Sequence, residues 1–158
     1  MLFLSIALFI YVFYRTEKTV INQIILLFVS TQKFAFARES VTSALLLPNW
    51  VLFSMPEALW VFCATLLSKK LYFKIGKLTV SCAYIPIGFA ILWEIFQLTN
   101  VTNGYFDTTD LLLCTIAFIL AICLINKQYT SAYFLKPLNI RSVLFVGIFG
   151  IVYLSHVV

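Results

Sequence analysis

Six carboxylates are the side chains of this 158-residue chain whose type and spacing suit chemistry: Glu17, Glu39, Glu57, Glu94, Asp107 and Asp110. Glu94 and Gln97 stand three residues apart, as do Asp107 and Asp110, so each pair shares one face of a helix. Gathered carboxylates offer hard oxygen ligands to Mg²⁺ or Ca²⁺, and hydrogen-bond acceptors to a polar head group or a glycan. Other chemistries lack their residues. The single histidine, His156, lies close to the C-terminus and receives no role, and there is no Ser/His or Cys/His arrangement and no DDxxD-like run. Cys63, Cys82, Cys114 and Cys123 fall within apolar blocks, without the spacing of a metal site or redox pair, and read as small packing residues.

Four of the six acids fall near the ends of apolar segments. Ser54-Met55-Pro56-Glu57 reads as a helix start, with Ser54 as the cap, Pro56 in the first turn and Glu57 three residues beyond the cap. Asp107 is placed as the cap of a later helix, with Asp110 in its first turn. For Glu57, Asp107 and Asp110, capping and the positive end of the helix dipole are a sufficient alternative to any ligand role. Glu94 differs. It falls near the end of its helix, where a carboxylate opposes the dipole, so Glu94 with Gln97 is the stronger functional candidate.

The elements that must carry these residues are strongly apolar. Apolar residues form 63% of the chain and charged ones 11%, where a water-exposed surface calls for roughly 25%. In a chain of one-domain length, this leads to the expectation of an all-α integral membrane bundle of about five transmembrane helices. Blocks 78–93, 111–126 and 142–158 contain no Asp, Glu, Lys or Arg, and each approaches the roughly 20 residues that cross a bilayer. The expected organisation is one membrane domain: a first span over 1–14, a membrane-associated connector over 15–47, a core of three spans over 48–126 and a last span over 140–157. Within the connector, 20–29 suits an interfacial or re-entrant helix but is too short to span.

Orientation follows from the bases. Lys69, Lys70, Lys74 and Lys77 in one loop, and Lys127, Lys136 and Arg141 in another, place both loops in the cytoplasm and the base-free loop 99–106 outside. Glu57, Glu94, Asp107 and Asp110 then converge at the outer mouth of the bundle. Five spans would also leave Arg15, Lys18, Lys33 and Arg38 outside, against the same rule. The net charge of +5 is scattered over short loops, which favours a lipid bilayer over nucleic acid as the partner. Trp50, Trp60 and Trp93 read as interface or packing residues. Asn100-Val101-Thr102 matches a glycosylation sequon, and Gly147 and Gly150 would permit a partner helix to approach closely.

The stretch Trp93-Glu94-Ile95-Phe96-Gln97, followed after a short loop by Gly104-Tyr105-Phe106-Asp107-Thr108-Thr109-Asp110, resembles the signature of the VanZ-like membrane proteins. In that family a Glu-x-x-Gln element ends one helix and an Asp-x-x-Asp element opens the next. Ser54-Met55-Pro56-Glu57-Ala58-Leu59-Trp60 resembles a further element of small bacterial relatives, and the similarity spans about residues 48–124. It implies a site of Glu57, Glu94, Gln97, Asp107 and Asp110 in a bacterial cytoplasmic membrane, and an envelope role touching glycopeptide antibiotic susceptibility. The family's loop arginine is missing from 101–105. Arg38 or Lys33 is its expected substitute if the connector folds over the cluster.

The functional expectation is an envelope protein whose carboxylates bind a head group, a glycan or a divalent cation, with no reaction and no other cofactor assigned. Two alternatives stand beside it. One is an accessory subunit of a larger membrane complex, in which the carboxylates only cap and pair. The other is an enzyme acting on a lipid-linked phosphate, with a metal held by Glu94, Asp107 and Asp110.

Overall fold

The computed structural model describes residues 2–16, 18–69, 71–75, 77–101, 105–124 and 132–133, together with 143–144, 146–147 and 149–150. Helices α1 (Leu2–Tyr14), α2 (Val20–Phe28), α3 (Thr31–Ala44), the short α4 (Asn49–Phe53) and α5 (Met55–Ser68) come first. A hairpin of β1 (Leu71–Ile75) and β2 (Leu78–Ser81) follows, then a 3-10 turn at Cys82–Tyr84, α6 (Ile85–Leu98) and α7 (Thr108–Cys123). The two-residue β3 (Ala132–Tyr133) lies parallel to β1 on the side opposite β2, giving the sheet order β2-β1-β3.

These elements correct the membrane bundle. Among the described residues no helix is long and apolar enough to cross a membrane. The longest, α7, has 16 residues, about 24 Å at 1.5 Å per residue, against about 30 Å of hydrocarbon. Block 78–93 shows why an apolar count misleads: it divides into β2, the 3-10 turn and the first part of α6. The β-branched Thr79 and Val80 suit a strand. The Ser81 hydroxyl then accepts from the Ala83 N–H at 3.3 Å, which starts the 3-10 turn. Pro86 sits in the first turn of α6, where its missing N–H leaves no orphan.

With the bundle go the five spans, the inside and outside loops and the bacterial inner-membrane location; the antibiotic-resistance association came from the motif resemblance alone and gains no support from the structure. The fold stays mostly helical, with one small three-stranded sheet added to the expected helices. The last span expected over 140–157 lies largely outside the described residues, as do Glu17, Lys70, Thr102, Lys127, Lys136, Arg141 and His156.

Helix α5 is the centre of the molecule, packed against α7, α1 and α6. Its buried face carries Ala58, Val61 and Ala64, and meets Leu4 from α1, Ala90 from α6, and Cys114 and Ala117 from α7. Small side chains at these crossings let the helix axes approach, and dispersion contacts over that area hold them together. Trp60, 5% exposed, fills the remaining space edge-on to Phe149 at 5.1 Å and tilted against Phe89 at 5.8 Å. It is a packing tryptophan. A Cβ at Gly147 or Gly150 would meet nothing within 4 Å among the described residues, so neither marks a close helix crossing there.

The segment expected as a connector folds into two helices. Residues 20–28 form α2, close to the expected 20–29, while α3 was not anticipated. Polar side chains lock this region to the end of α1. The fully buried Asn22 donates from Nδ2 to the Thr16 carbonyl at 2.9 Å. Arg38 of α3 donates through Nε to the Phe13 carbonyl at 3.1 Å and through Nη2 to the Arg15 carbonyl. An arginine on the last carbonyls of a helix satisfies groups that have no partner within it. The backbone carrying Arg15 is thereby held in place.

Candidate functional site

Three helix ends bring the acids together: the first turn of α5, the last turns of α6 and the first turn of α7. Pro56 starts α5 and leaves Glu57 on its opening turn. Asp107 caps α7 conventionally, its Oδ1 accepting from the Thr109 N–H at 2.8 Å, and Asp110 follows in the first turn. The end of α6 is a Schellman turn. Val101 N–H donates to the Phe96 carbonyl at 2.9 Å and Asn100 N–H to the Gln97 carbonyl at 3.1 Å, with Asn100 at φ 56°. This left-handed residue turns the chain out of α6 toward the loop that leads back to Asp107.

The carboxylate oxygens of Glu57, Glu94 and Asp110 lie within 4.8 Å of one another. Glu94 is the most enclosed, at 1% exposure. Its Oε2 accepts from the backbone N–H of Asp107 at 3.1 Å, which ties α6 to the start of α7. The Gln97 amide completes the surround: with its oxygen and nitrogen exchanged, the orientation its neighbours favour, it donates to Glu94 Oε1 at 3.2 Å and to the Tyr105 carbonyl at 3.1 Å, and accepts from Trp93 Nε1 at 3.2 Å.

Ser54 does not cap α5 with its side chain. The buried hydroxyl instead hydrogen-bonds the Asp110 carboxylate. Asp110 Oδ1 is buried without a hydrogen-bond partner among the described residues.

The five expected site residues therefore divide. Glu57, Glu94 and Asp110 form the oxygen cluster, and Gln97 orients one of them. Asp107 is exposed and supplies its backbone N–H, while its carboxylate is engaged in capping. A sixth residue, Arg15, was missed. Its Nη2 donates to the Phe53 carbonyl at 3.1 Å, and its guanidinium lies 4.9 Å from the Phe53 ring centroid and 5.4 Å from that of Tyr11. From there its charge reaches Glu57 and Asp110. The expected substitutes take other places: Arg38 braces the chain behind Arg15, and Lys33 is exposed on α3. No spacing in the sequence links Arg15 to acids 42 or more positions away, so only the packing of α1 on α5 reveals it.

Burial and crowding make these carboxyls reluctant to ionise. Desolvation pushes Glu57 up to about 7, with repulsion from Asp110 and Glu94 adding to it and Arg15 opposing it. Glu94 is raised by burial and, secondarily, by Asp110 and Asp107, against the lowering effect of the Asp107 N–H bond. Asp110 is raised by burial, with Ser54 and Arg15 pulling it down and Asp107 pushing it up. Cys114, one turn beyond Asp110, is kept firmly protonated by burial and by the charge of Glu57. It is a packing thiol rather than a nucleophile. Three like charges beside a single guanidinium can be relieved by taking up protons or by taking up a cation.

No family model, curated protein or solved structure matches the chain. The VanZ-like resemblance accordingly rests on its motif elements alone.

Proposed function

We propose that the protein binds a divalent, oxygen-seeking cation through Glu57, Glu94 and Asp110. The observation that carries this reading is the mutual separation of their oxygens, all within 4.8 Å. Two ligands on opposite sides of a Ca²⁺ at about 2.4 Å each are about 4.8 Å apart, so one ion fits among all three residues. Carboxylate-only ligation selects Ca²⁺ or Mg²⁺ over softer metals. The cation would neutralise crowded charge and engage the unpartnered Oδ1 of Asp110. Two of the three ligands come from the Glu-x-x-Gln and Asp-x-x-Asp elements shared with VanZ-like proteins, and that resemblance is extended no further than this ligand set. No reaction is assigned to the site.

Calorimetric titration of the purified protein with Ca²⁺ and Mg²⁺ at pH 8 tests it. The expected result is one site per chain, with Kd on the order of 10⁻⁵–10⁻³ M. Glu94→Gln and Asp110→Asn should each weaken it at least about tenfold, the loss of one charged ligand contact. Asp107→Asn keeps a capping side chain and should leave affinity nearly unchanged. Absence of binding in the millimolar range, or binding indifferent to Glu94→Gln and Asp110→Asn, would sink the proposal.

A further inference from the structure

We propose that helix α2 docks on an anionic lipid surface, lying in its plane with the face of Ile24, Leu27 and Phe28 turned to the acyl chains. These residues stand at i, i+3 and i+4, so they share one side of the helix. Leu27 is 80% exposed and Phe28 85%, and Ile24 and the following Val29 are exposed beside them. Nine residues make about 14 Å of helix, a length that rests along a surface without crossing it.

Burial on α2 is inverted relative to a helix that packs its apolar face on a core. Asn22, on the opposite side, is fully buried and donates from Nδ2 to the Thr16 carbonyl at 2.9 Å. Thr19, just ahead of the helix, is buried as well, and its hydroxyl donates to the same carbonyl at 3.3 Å. These bonds hold the polar side of α2 against the end of α1 and so turn its apolar side outward. Exposed apolar residues scattered singly are ordinary. A contiguous set on one helix face, oriented by buried polar bonds, marks a contact surface.

Charge decides what that surface meets. Lys18 lies two residues before α2 and Lys33 five residues beyond it, and both are exposed. Helix α2 itself carries no charged residue. Over residues 15–47, four bases stand against two acids, Glu17 and Glu39. Lysines at the rim of an apolar face are drawn to anionic head groups while their stems lie along the hydrocarbon. Lys33 also shares a face of α3 with the exposed Phe36. A second copy of the chain fits less well. In a two-fold pairing of this face, the lysines of one copy would confront the lysines of the other.

Flotation of the purified chain with vesicles tests the proposal, comparing pure phosphatidylcholine with phosphatidylcholine containing about 30% phosphatidylglycerol. Partitioning should be about tenfold stronger on the anionic vesicles and should weaken with salt. The double variant Leu27→Ser/Phe28→Ser should lose at least about tenfold with its helical circular dichroism unchanged, because both side chains are exposed. Lys18→Gln/Lys33→Gln should remove most of the anionic preference. Leu112→Ser, also exposed but beside the acidic cluster, and Glu94→Gln, within it, should leave partitioning unchanged. A Phe28→Trp reporter should shift to the blue on binding and be quenched by brominated acyl chains. Equal partitioning on the two vesicle types would overturn the anionic assignment. No partitioning, or partitioning indifferent to Leu27→Ser/Phe28→Ser, would overturn the docking face. A dimer in solution that this double variant dissociates, without vesicle binding, would assign the face to a second copy and overturn the proposal.

Discussion

The three clustered carboxyls behave as one titrating unit, and the sign of their effect on stability follows from burial. Glu57 has its folded-state pKa raised from 4.5 to about 7. Between those values the folded protein holds more protons than the unfolded chain, so stability falls as pH rises through the window. The loss at Glu57 is on the order of 2–3 kcal/mol once solvent screening at a partly exposed carboxyl is allowed for. Melting curves of chelator-treated protein should therefore show Tm declining from pH 4.5 to 7. Glu57→Gln should flatten that decline, and saturating Ca²⁺ should restore stability above pH 7 by about 2.7 kcal/mol at a hundred times its Kd. A Tm that rises across this range in the chelated protein would show that the cluster is not strained by its own charge.

Arg15 contributes at the same scale. Its positive field stabilises ionised Glu57 and Asp110 but repels an incoming cation. Arg15→Met should raise Ca²⁺ affinity about threefold to tenfold, while lowering the stability of the cation-free protein at pH 8. Calorimetry and thermal melting read the two effects separately. A parallel loss of both would mean that Arg15 acts by holding the fold through Phe53 and Tyr11 rather than by its charge.

Among the elements, those with sharp local punctuation were legible in the sequence. Pro56 and Glu57 mark the start of α5, Asp107 marks α7, and both helices begin where expected. The convergence of Glu57, Glu94 and Asp110 was also readable, since it needs only three consecutive antiparallel elements. What was not legible is the splitting of an uncharged block into strand, turn and helix. Residues such as Leu78 and Val80 are as apolar in a strand as in a span, and the decision falls to Ser81 and Pro86. Ser54 shows the same limit. As a lone residue it is a cap, and only the approach of α7 turns its hydroxyl toward Asp110.

Asn100, read as half of a glycosylation triplet, is the left-handed closure of α6. Asn100→Val should cost about 1–2 kcal/mol in urea denaturation and loosen the path to Asp107, whereas Asn100→Gly should be neutral or slightly stabilising. Equal stability of all three would remove the closure from the account.

For the whole molecule, the central helix α5 sets up a charge polarity. Carboxylates gather at its N-terminal end, and Lys69 and the lysine-bearing hairpin lie at its C-terminal end. Sequence reading found this polarity but placed it across a bilayer, because it inferred helix length from apolar runs. The polarity belongs instead to a compact crossing of short helices around Val61 and Ala64. Its functional weight rests on the acidic end, where the oxygens stand at ion-binding separation. The most direct test is a crystal soaked in Mn²⁺, read by anomalous scattering. The account predicts a peak at about 2.1–2.6 Å from oxygens of Glu57, Glu94 and Asp110, the range spanned by Mg²⁺- and Ca²⁺-like coordination. A peak held only by other residues, or a cluster left vacant at saturating Mn²⁺, would contradict it.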